Sequence, residues 1–103
     1  MDIDFNGKVY LITGGASGIG AAVVHYLAQH NGSAVIADIN DVAGKALVDQ
    51  YPEQMRYLHT DVTQLSNLAA ACELAVSAFG GLDGAVNSAG IGSLGNVAFP
   101  SRR

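Results

Sequence analysis

Short apolar stretches alternate along the chain with longer segments in which apolar residues recur at helical spacing. The apolar stretches predict strands over 8–13, 33–38, 55–60 and 82–87, the last of which is weakened by Gly84. Nearly continuous apolar runs of this length are typical of strands buried on both faces of a parallel sheet. Because strands and helices alternate, we expect right-handed crossovers and a doubly wound parallel sheet of the α/β class.

The helical segments end at residues that commonly stop helices. The first ends at Asn31-Gly32, the second spans 41–50 before Tyr51-Pro52, and the third follows 61–63 and ends at Gly80-Gly81. We expect Tyr26, Tyr57 and Cys72 to be buried. The apolar spacing predicts one face on the first helix (Ile19, Ala22, Val23, Tyr26, Leu27) and one on the third (Leu65, Leu68, Ala69, Cys72, Val76, Phe79).

The clearest chemical signal lies where the first strand meets the first helix, at Gly14, Gly18 and Gly20. A strand that ends in glycines and opens a helix brings backbone N–H groups and the positive helix end together, which attracts a phosphate or pyrophosphate. Asp38 ends the next strand, 18 positions after Gly20. A carboxylate there can accept hydrogen bonds from an adenosine ribose. These features favour a dinucleotide site over the alternative of a helix-capping turn with Asp38 at a solvent-facing strand end.

Four motifs in the correct order identify a family resemblance over about residues 5 to 92. Thr13-Gly14-x-x-x-Gly18-Ile19-Gly20 resembles the cofactor signature of the classical short-chain dehydrogenase/reductase family, and Asp61-Val62 resembles its adenine-contacting pair. The run 79–83 matches the usual lead into the fourth strand, and 87–90 resembles the Asn-Asn-Ala-Gly motif, with serine as its second residue. The resemblance implies a Rossmann-like fold truncated after about four strands and three helices. Residues 1–91 would then be a partial NAD-binding domain and 92–103 an irregular C-terminal tail.

The resemblance also implies a role for each matching residue. Asn87 has two open alternatives, because the family motif contacts the ribose region and also ties adjacent strands together. The implied set comprises the pyrophosphate turn (Gly14, Gly18, Gly20), its phosphate neighbours (Ser17 and the Ile19 backbone), the ribose carboxylate (Asp38), the adenine pair (Asp61, Val62), and the group near the ribose and sheet centre (Asn87, Ala89, Gly90).

Asp38 predicts which dinucleotide binds. A ribose 2′-phosphate beside this carboxylate would meet like-charge repulsion, and an NADP site usually supplies a cation instead. Neither residues 15–17 nor the neighbours of Asp38 include a lysine or arginine. We therefore expect NAD as the cofactor.

The residues that carry out the family's reaction have no counterpart here. That reaction uses a tyrosine four residues before a lysine and an upstream serine, whereas Lys8 and Lys45 are preceded at that spacing by Asp4 and Asp41. We assign no catalytic residue and expect this chain alone to be inactive. It is interpreted as the NAD-binding portion of an oxidoreductase that, in a full-length parent, acts on an alcohol or carbonyl substrate. The alternative is a non-catalytic nucleotide-binding or interaction module produced by truncation.

Composition and charge exclude several other kinds of binding partner and site. The net charge of −4 and the scattered basic residues argue against nucleic acid or a membrane as partner. A single cysteine excludes an internal disulfide, and no Cys/His cluster has metal-ligand spacing.

No targeting segment is visible, so a cytoplasmic location is expected. The helices with which the family forms homo-oligomers are not found in this chain. His25, His30 and His59 lack a carboxylate at catalytic spacing and are expected to serve packing or lie at the surface.

Overall fold

The computed structural model describes residues 3–88, so Ala89, Gly90 and the predicted tail 92–103 lie outside the described part. The elements alternate as the sequence predicts, with strand ends one or two residues shorter at three places. They are β1 Val9–Thr13, α1 Gly18–Gln29, β2 Ser33–Asp38, α2 Asp41–Gln50, β3 Met55–His59, α3 Leu65–Phe79 and β4 Gly84–Asn87.

All four strands pair in parallel, in the order β3-β2-β1-β4. The chain therefore builds the sheet in one direction from β1 to β3 and then crosses back to place β4 on the other side of β1. The carboxyl ends meet at one edge, where Thr13 lies opposite both Ala37 and Asn87. A ligand site in such a sheet forms beside the point where the strand order reverses, here between β1 and β4.

Two apolar layers cover the sheet and confirm the doubly wound arrangement. On one face α1 and α2 pack on the sheet, and Ile12 and Ile36 are fully buried there. On the other face α3 packs on Leu11 and Val35, which are also fully buried. Adjacent residues of one strand point to opposite faces, so a strand covered on both sides must be apolar at almost every position.

The predicted apolar face of α1 is wrong in part: Leu27 is buried and Val23 packs against the core as the spacing predicts, but the other three predicted residues are exposed. Ile19 is 77% exposed and Tyr26 is 43% exposed, whereas Gly20, Val24, Leu27 and Ala28 are buried. The helix is rotated so that Gly20, which has no side chain, lies against the glycine turn. This close approach decides the orientation of the helix more strongly than the position of its largest apolar residues.

The predicted inward face of α3 needs the same kind of correction. Leu65 is 81% exposed and Val76 is 55% exposed, and the fully buried positions are Ala71 and Ala75. Small side chains let the helix axis lie close to the strands, so the larger residues are displaced to the rim. Cys72 packs at the edge of this layer and is only half-buried.

Candidate functional site

The turn between β1 and α1 is shaped by glycines in the left-handed region. Gly14 has φ of 68° and Gly18 has φ of 58°, values that side-chain-bearing residues adopt at a cost. The Gly14 N–H donates to the carbonyl of Ala37 on β2 at 2.8 Å, which anchors the turn to the sheet. Ser17 precedes α1 in an extended conformation, and its side chain makes no capping hydrogen bond. The first turn of α1 contains no acidic residue, so no side chain there neutralises the positive helix end, which can attract an anionic ligand.

Gly20 is required by contact rather than by backbone conformation. An ideal Cβ at this position would lie 2.1 Å from the carbonyl oxygen of Gly14 and 2.6 Å from Oγ of Ser88. The Ser88 hydroxyl in turn donates to the carbonyl of Thr13, at the end of β1. Gly20 therefore joins α1, the glycine turn and the end of β4 at one point.

A cavity of about 530 Å³ opens at the carboxyl edge of the sheet beside this point. Seven of the residues predicted from the sequence lie on its wall. Gly20 and Asn87 are not among the lining residues, and Ala89 and Gly90 fall outside residues 3–88. The lining residues are Gly14, Ser17, Gly18, Ile19, Ala37, Asp38, Ile39, Thr60, Asp61, Val62 and Ser88.

Asp38 is fixed in position on this wall by three hydrogen bonds and one close contact with a hydroxyl group. Its Oδ2 accepts from the Ala16 N–H at 3.0 Å, and its Oδ1 accepts from the Asn40 N–H at 3.0 Å. Its backbone carbonyl accepts from the Thr60 N–H at 2.9 Å, and the Tyr57 hydroxyl oxygen lies 2.7 Å from it. An ionised carboxylate offers about four acceptor positions. About two therefore remain for hydroxyl groups of a ligand in the cavity.

Asp61 begins the segment that follows β3. Its Oδ1 accepts from the Thr63 N–H at 2.9 Å and from the Thr63 hydroxyl at 2.6 Å. These bonds hold the pKa of the Asp61 carboxyl below its ordinary value of 3.8, because they favour the charged form. The Asp61 N–H donates to the Asn67 side chain at 3.1 Å, which ties the segment to α3. The cavity thus has one carboxylate at the end of β2 and a second just after the neighbouring strand β3.

Asn87 contacts β1. The Thr13 hydroxyl donates to its Oδ1 at 2.8 Å, and Thr13 itself is 3% exposed. The strand-tying alternative therefore has a direct structural counterpart, and the ribose alternative stays a prediction.

Two features of the site were missed by sequence reasoning. Ile39 lines the cavity with 66% of its surface exposed, and its only sequence signal is an apolar residue directly after the Asp38 carboxylate. The second is a side-chain contact: His59 Nδ1 lies 2.8 Å from Asp41 Oδ1, and the His59 imidazole is exposed, as expected for a surface histidine. Strand and helix bring these two residues together although 18 positions separate them.

Residues 3–88 contain neither a metal site nor a membrane-spanning helix. In that range no group of three or more His, Cys, Asp or Glu residues could hold a metal ion. None of the helices there is long and apolar enough to cross a membrane.

Comparison with known proteins gives consistent results. The family model described as short chain dehydrogenase matches residues 8–102. The chain is 44% identical over 91 residues to "3-alpha-(or 20-beta)-hydroxysteroid dehydrogenase" of Mycobacterium tuberculosis (strain ATCC 25618 / H37Rv), covering 88% of this chain and 35% of the relative. It is 41% identical over 92 residues to "2,5-dichloro-2,5-cyclohexadiene-1,4-diol dehydrogenase" of Sphingobium indicum, covering 89% and 37%.

A solved structure supports the same grouping. The glucose/ribitol dehydrogenase of the short-chain dehydrogenase/reductase group from Brucella melitensis superposes with a TM-score of 0.82 at 27% identity, covering 88% of this chain and 38% of that one. The chain therefore spans a little over a third of the length of these relatives.

Proposed function

Since this chain belongs to the short-chain dehydrogenase family, whose members bind nicotinamide dinucleotides, we propose that it binds NAD at the carboxyl edge of its sheet. In this way it supplies the cofactor-binding part of an oxidoreductase. The observation that carries the proposal is the Asp38 carboxylate, held on the cavity wall beside a glycine turn with about two acceptor positions left open.

The glycine turn fits a pyrophosphate. The start of α1 faces the cavity through Ser17, Gly18 and Ile19, and no side chain caps it or places a negative charge in its first turn. A Cβ at Gly20 would push the helix away from the turn. The backbone N–H groups of this turn would hold the phosphate oxygens of the cofactor.

The other side of the cavity fits an adenosine. Asp38 would accept hydrogen bonds from the ribose hydroxyls, because its two occupied acceptor positions face the backbone of Ala16 and Asn40. Ile39 and Val62 give apolar surface on the same wall, and Asp61 gives an acceptor beside them. An adenine ring, which is flat, apolar on its faces and carries an amino donor, suits this combination.

The charges on the cavity wall favour NAD over NADP. Asp38 and Asp61 both line the cavity, and no lysine or arginine is among the lining residues of the described part of the chain. A 2′-phosphate would bring its negative charge close to Asp38 with no cation to balance it.

The bound dinucleotide would supply a nicotinamide ring that accepts or donates a hydride. The residues of this chain bind and orient it, and none is assigned proton transfer, since the 103 residues contain no Tyr-x-x-x-Lys. We place oxidation of an alcohol, or reduction of a carbonyl, in a longer parent protein. Reading the natural transcript beyond the Arg103 codon separates this proposal from a nucleotide-binding module without catalysis, because only the former continues in frame to a serine and a Tyr-x-x-x-Lys.

The binding proposal is tested by titrating the chain with NADH and NADPH and following ligand binding by calorimetry. We expect NADH to bind at least about tenfold more tightly, a difference of about 1.4 kcal/mol. Asp38→Asn keeps the shape and an acceptor oxygen but removes the charge. The ratio between the affinities for NADH and NADPH should therefore become smaller. Asp49→Asn removes the same charge from an exposed position of α2 that does not line the cavity, and it should leave the preference unchanged. Equal affinity for NADH and NADPH, or no binding of either, would contradict the proposal.

A further inference from the structure

A polar cluster lies directly behind Asp38, outside the cavity. The Tyr57 hydroxyl contacts the Asp38 carbonyl oxygen at 2.7 Å and donates to Oδ1 of Asp41. His59 Nδ1 contacts the same Oδ1 at 2.8 Å. We call Tyr57, Asp41 and His59 the Tyr57 cluster, and none of the three is a lining residue of the cavity.

The Tyr57 ring is seated on a glycine of α2. An ideal Cβ at Gly44 would lie 2.2 Å from the ring, so only glycine leaves room for it. Glycine in a helix interior is destabilising relative to alanine, and this position lies in the middle of α2. The packing therefore holds the Tyr57 hydroxyl at a defined place beneath the segment that links β2 to α2.

That segment carries the ribose-binding carboxylate of the proposed function. Asp38 ends β2 and Asp41 begins α2, so one hydroxyl contacts both ends of the connection. Hydrogen bonds from Tyr57 and then His59 hold the pKa of the Asp41 carboxyl below its ordinary value, which keeps a charged acceptor in front of that hydroxyl at neutral pH.

We propose that the Tyr57 cluster is a positioning device that aims the Asp38 carboxylate at the 2′-hydroxyl of a bound adenosine ribose. The inference rests on the proposed function, and it assigns specificity to residues that do not touch the ligand. Without the hydroxyl, the 38–41 connection keeps its Ala16, Asn40 and Thr60 hydrogen bonds but loses its link between Asp38 and Asp41.

The test titrates the whole chain with ADP and with 2′-deoxy-ADP and follows binding by nuclear magnetic resonance. The two nucleotides differ only in the 2′-hydroxyl that would donate a hydrogen bond to Asp38. We expect Tyr57→Phe to weaken ADP binding by about three- to tenfold, the range of one net hydrogen bond, and to change 2′-deoxy-ADP binding by much less. Tyr51→Phe is the matched control, because this half-buried tyrosine also makes a hydroxyl hydrogen bond, to His25 at 2.7 Å. It should change neither affinity.

A second pair of variants keeps the test independent of the tyrosine. Asp41→Ala should reduce the preference for ADP over 2′-deoxy-ADP as Tyr57→Phe does. Asp41→Asn should keep part of that preference, because an amide oxygen still accepts from Tyr57. Equal weakening of both nucleotides by Tyr57→Phe, or no weakening, would overturn the positioning role. A wild-type chain that binds neither nucleotide, or binds both equally, would instead overturn the proposed ribose contact on which the inference rests.

Discussion

Replacing Gly20 with alanine tests whether α1 is held against the glycine turn by the absence of a side chain. The new Cβ would lie 2.1 Å from the Gly14 carbonyl oxygen, and ordinary contact begins at 3.4 Å, so helix and turn would have to separate by about 1.3 Å. The obstructing atom is backbone, which cannot rotate away. This places the cost near the upper end of the about 1–3 kcal/mol typical of overpacking.

An opposing effect must be subtracted from this cost. Alanine is favoured over glycine inside a helix by about 1 kcal/mol, so the expected net loss in the free energy of unfolding is about 1–2 kcal/mol. The assay is urea unfolding followed by circular dichroism. With a slope of about 1–3 kcal/mol per molar urea, the midpoint should fall by roughly 0.3–2 M. NAD affinity should fall as well, because the separated turn is the proposed pyrophosphate site.

Two control variants separate the helix-propensity effect from the steric effect of the new Cβ. Ala22→Gly, at an exposed position of α1, measures the helix-propensity effect alone and should destabilise by about 1 kcal/mol. Gly81→Ala adds a Cβ that meets nothing within 4 Å and should change the midpoint little. A Gly20→Ala chain that is as stable as wild type, or more stable, would refute the argument from close contact.

Two further predictions concern parts of the chain around the site. Gly44→Ala should lower the free energy of unfolding in urea by up to about 2 kcal/mol, because its Cβ meets the Tyr57 ring at 2.2 Å and this overpacking exceeds the helix-propensity gain of about 1 kcal/mol; a raised midpoint would mean that the ring moves freely. The lowered pKa of Asp61 stabilises the fold at neutral pH, and this contribution is lost as the pH falls below 3.8. Thr63→Val should therefore make urea stability less dependent on pH between about 5 and 2, and an unaltered dependence would contradict this assignment.

The course of the backbone was predictable because its signals are local. Strand β2 and helix α2 begin and end where the sequence indicates, since buried apolar runs and the Asn40, Tyr51 and Pro52 boundaries act on neighbouring residues. The glycine turn and Asp38 were also predictable as parts of one wall. Parallel strands place all their carboxyl ends at one sheet edge, so residues that follow different strands must meet there.

The helix faces could not be read in the same way. Periodicity places Ile19 and Leu65 on the apolar side of their helices, yet both are largely exposed. Which side of a helix faces the sheet depends on how closely the two backbones approach. That approach is set here by residues with small side chains or none, such as Gly20 and Ala71, whose contribution to an apolar pattern is weak.

The sequence by itself determined the order of the elements, the phosphate-type turn and the acidic end of β2, because each depends on residues close together in the chain. Only the tertiary structure decided that Tyr57, Asp41 and His59 meet behind Asp38, and that Gly44 makes room for the Tyr57 ring. Their contacts span 16 and 18 positions and join strand β3 to the first residue of helix α2. Such contacts follow from how the elements pack, and no local pattern specifies them.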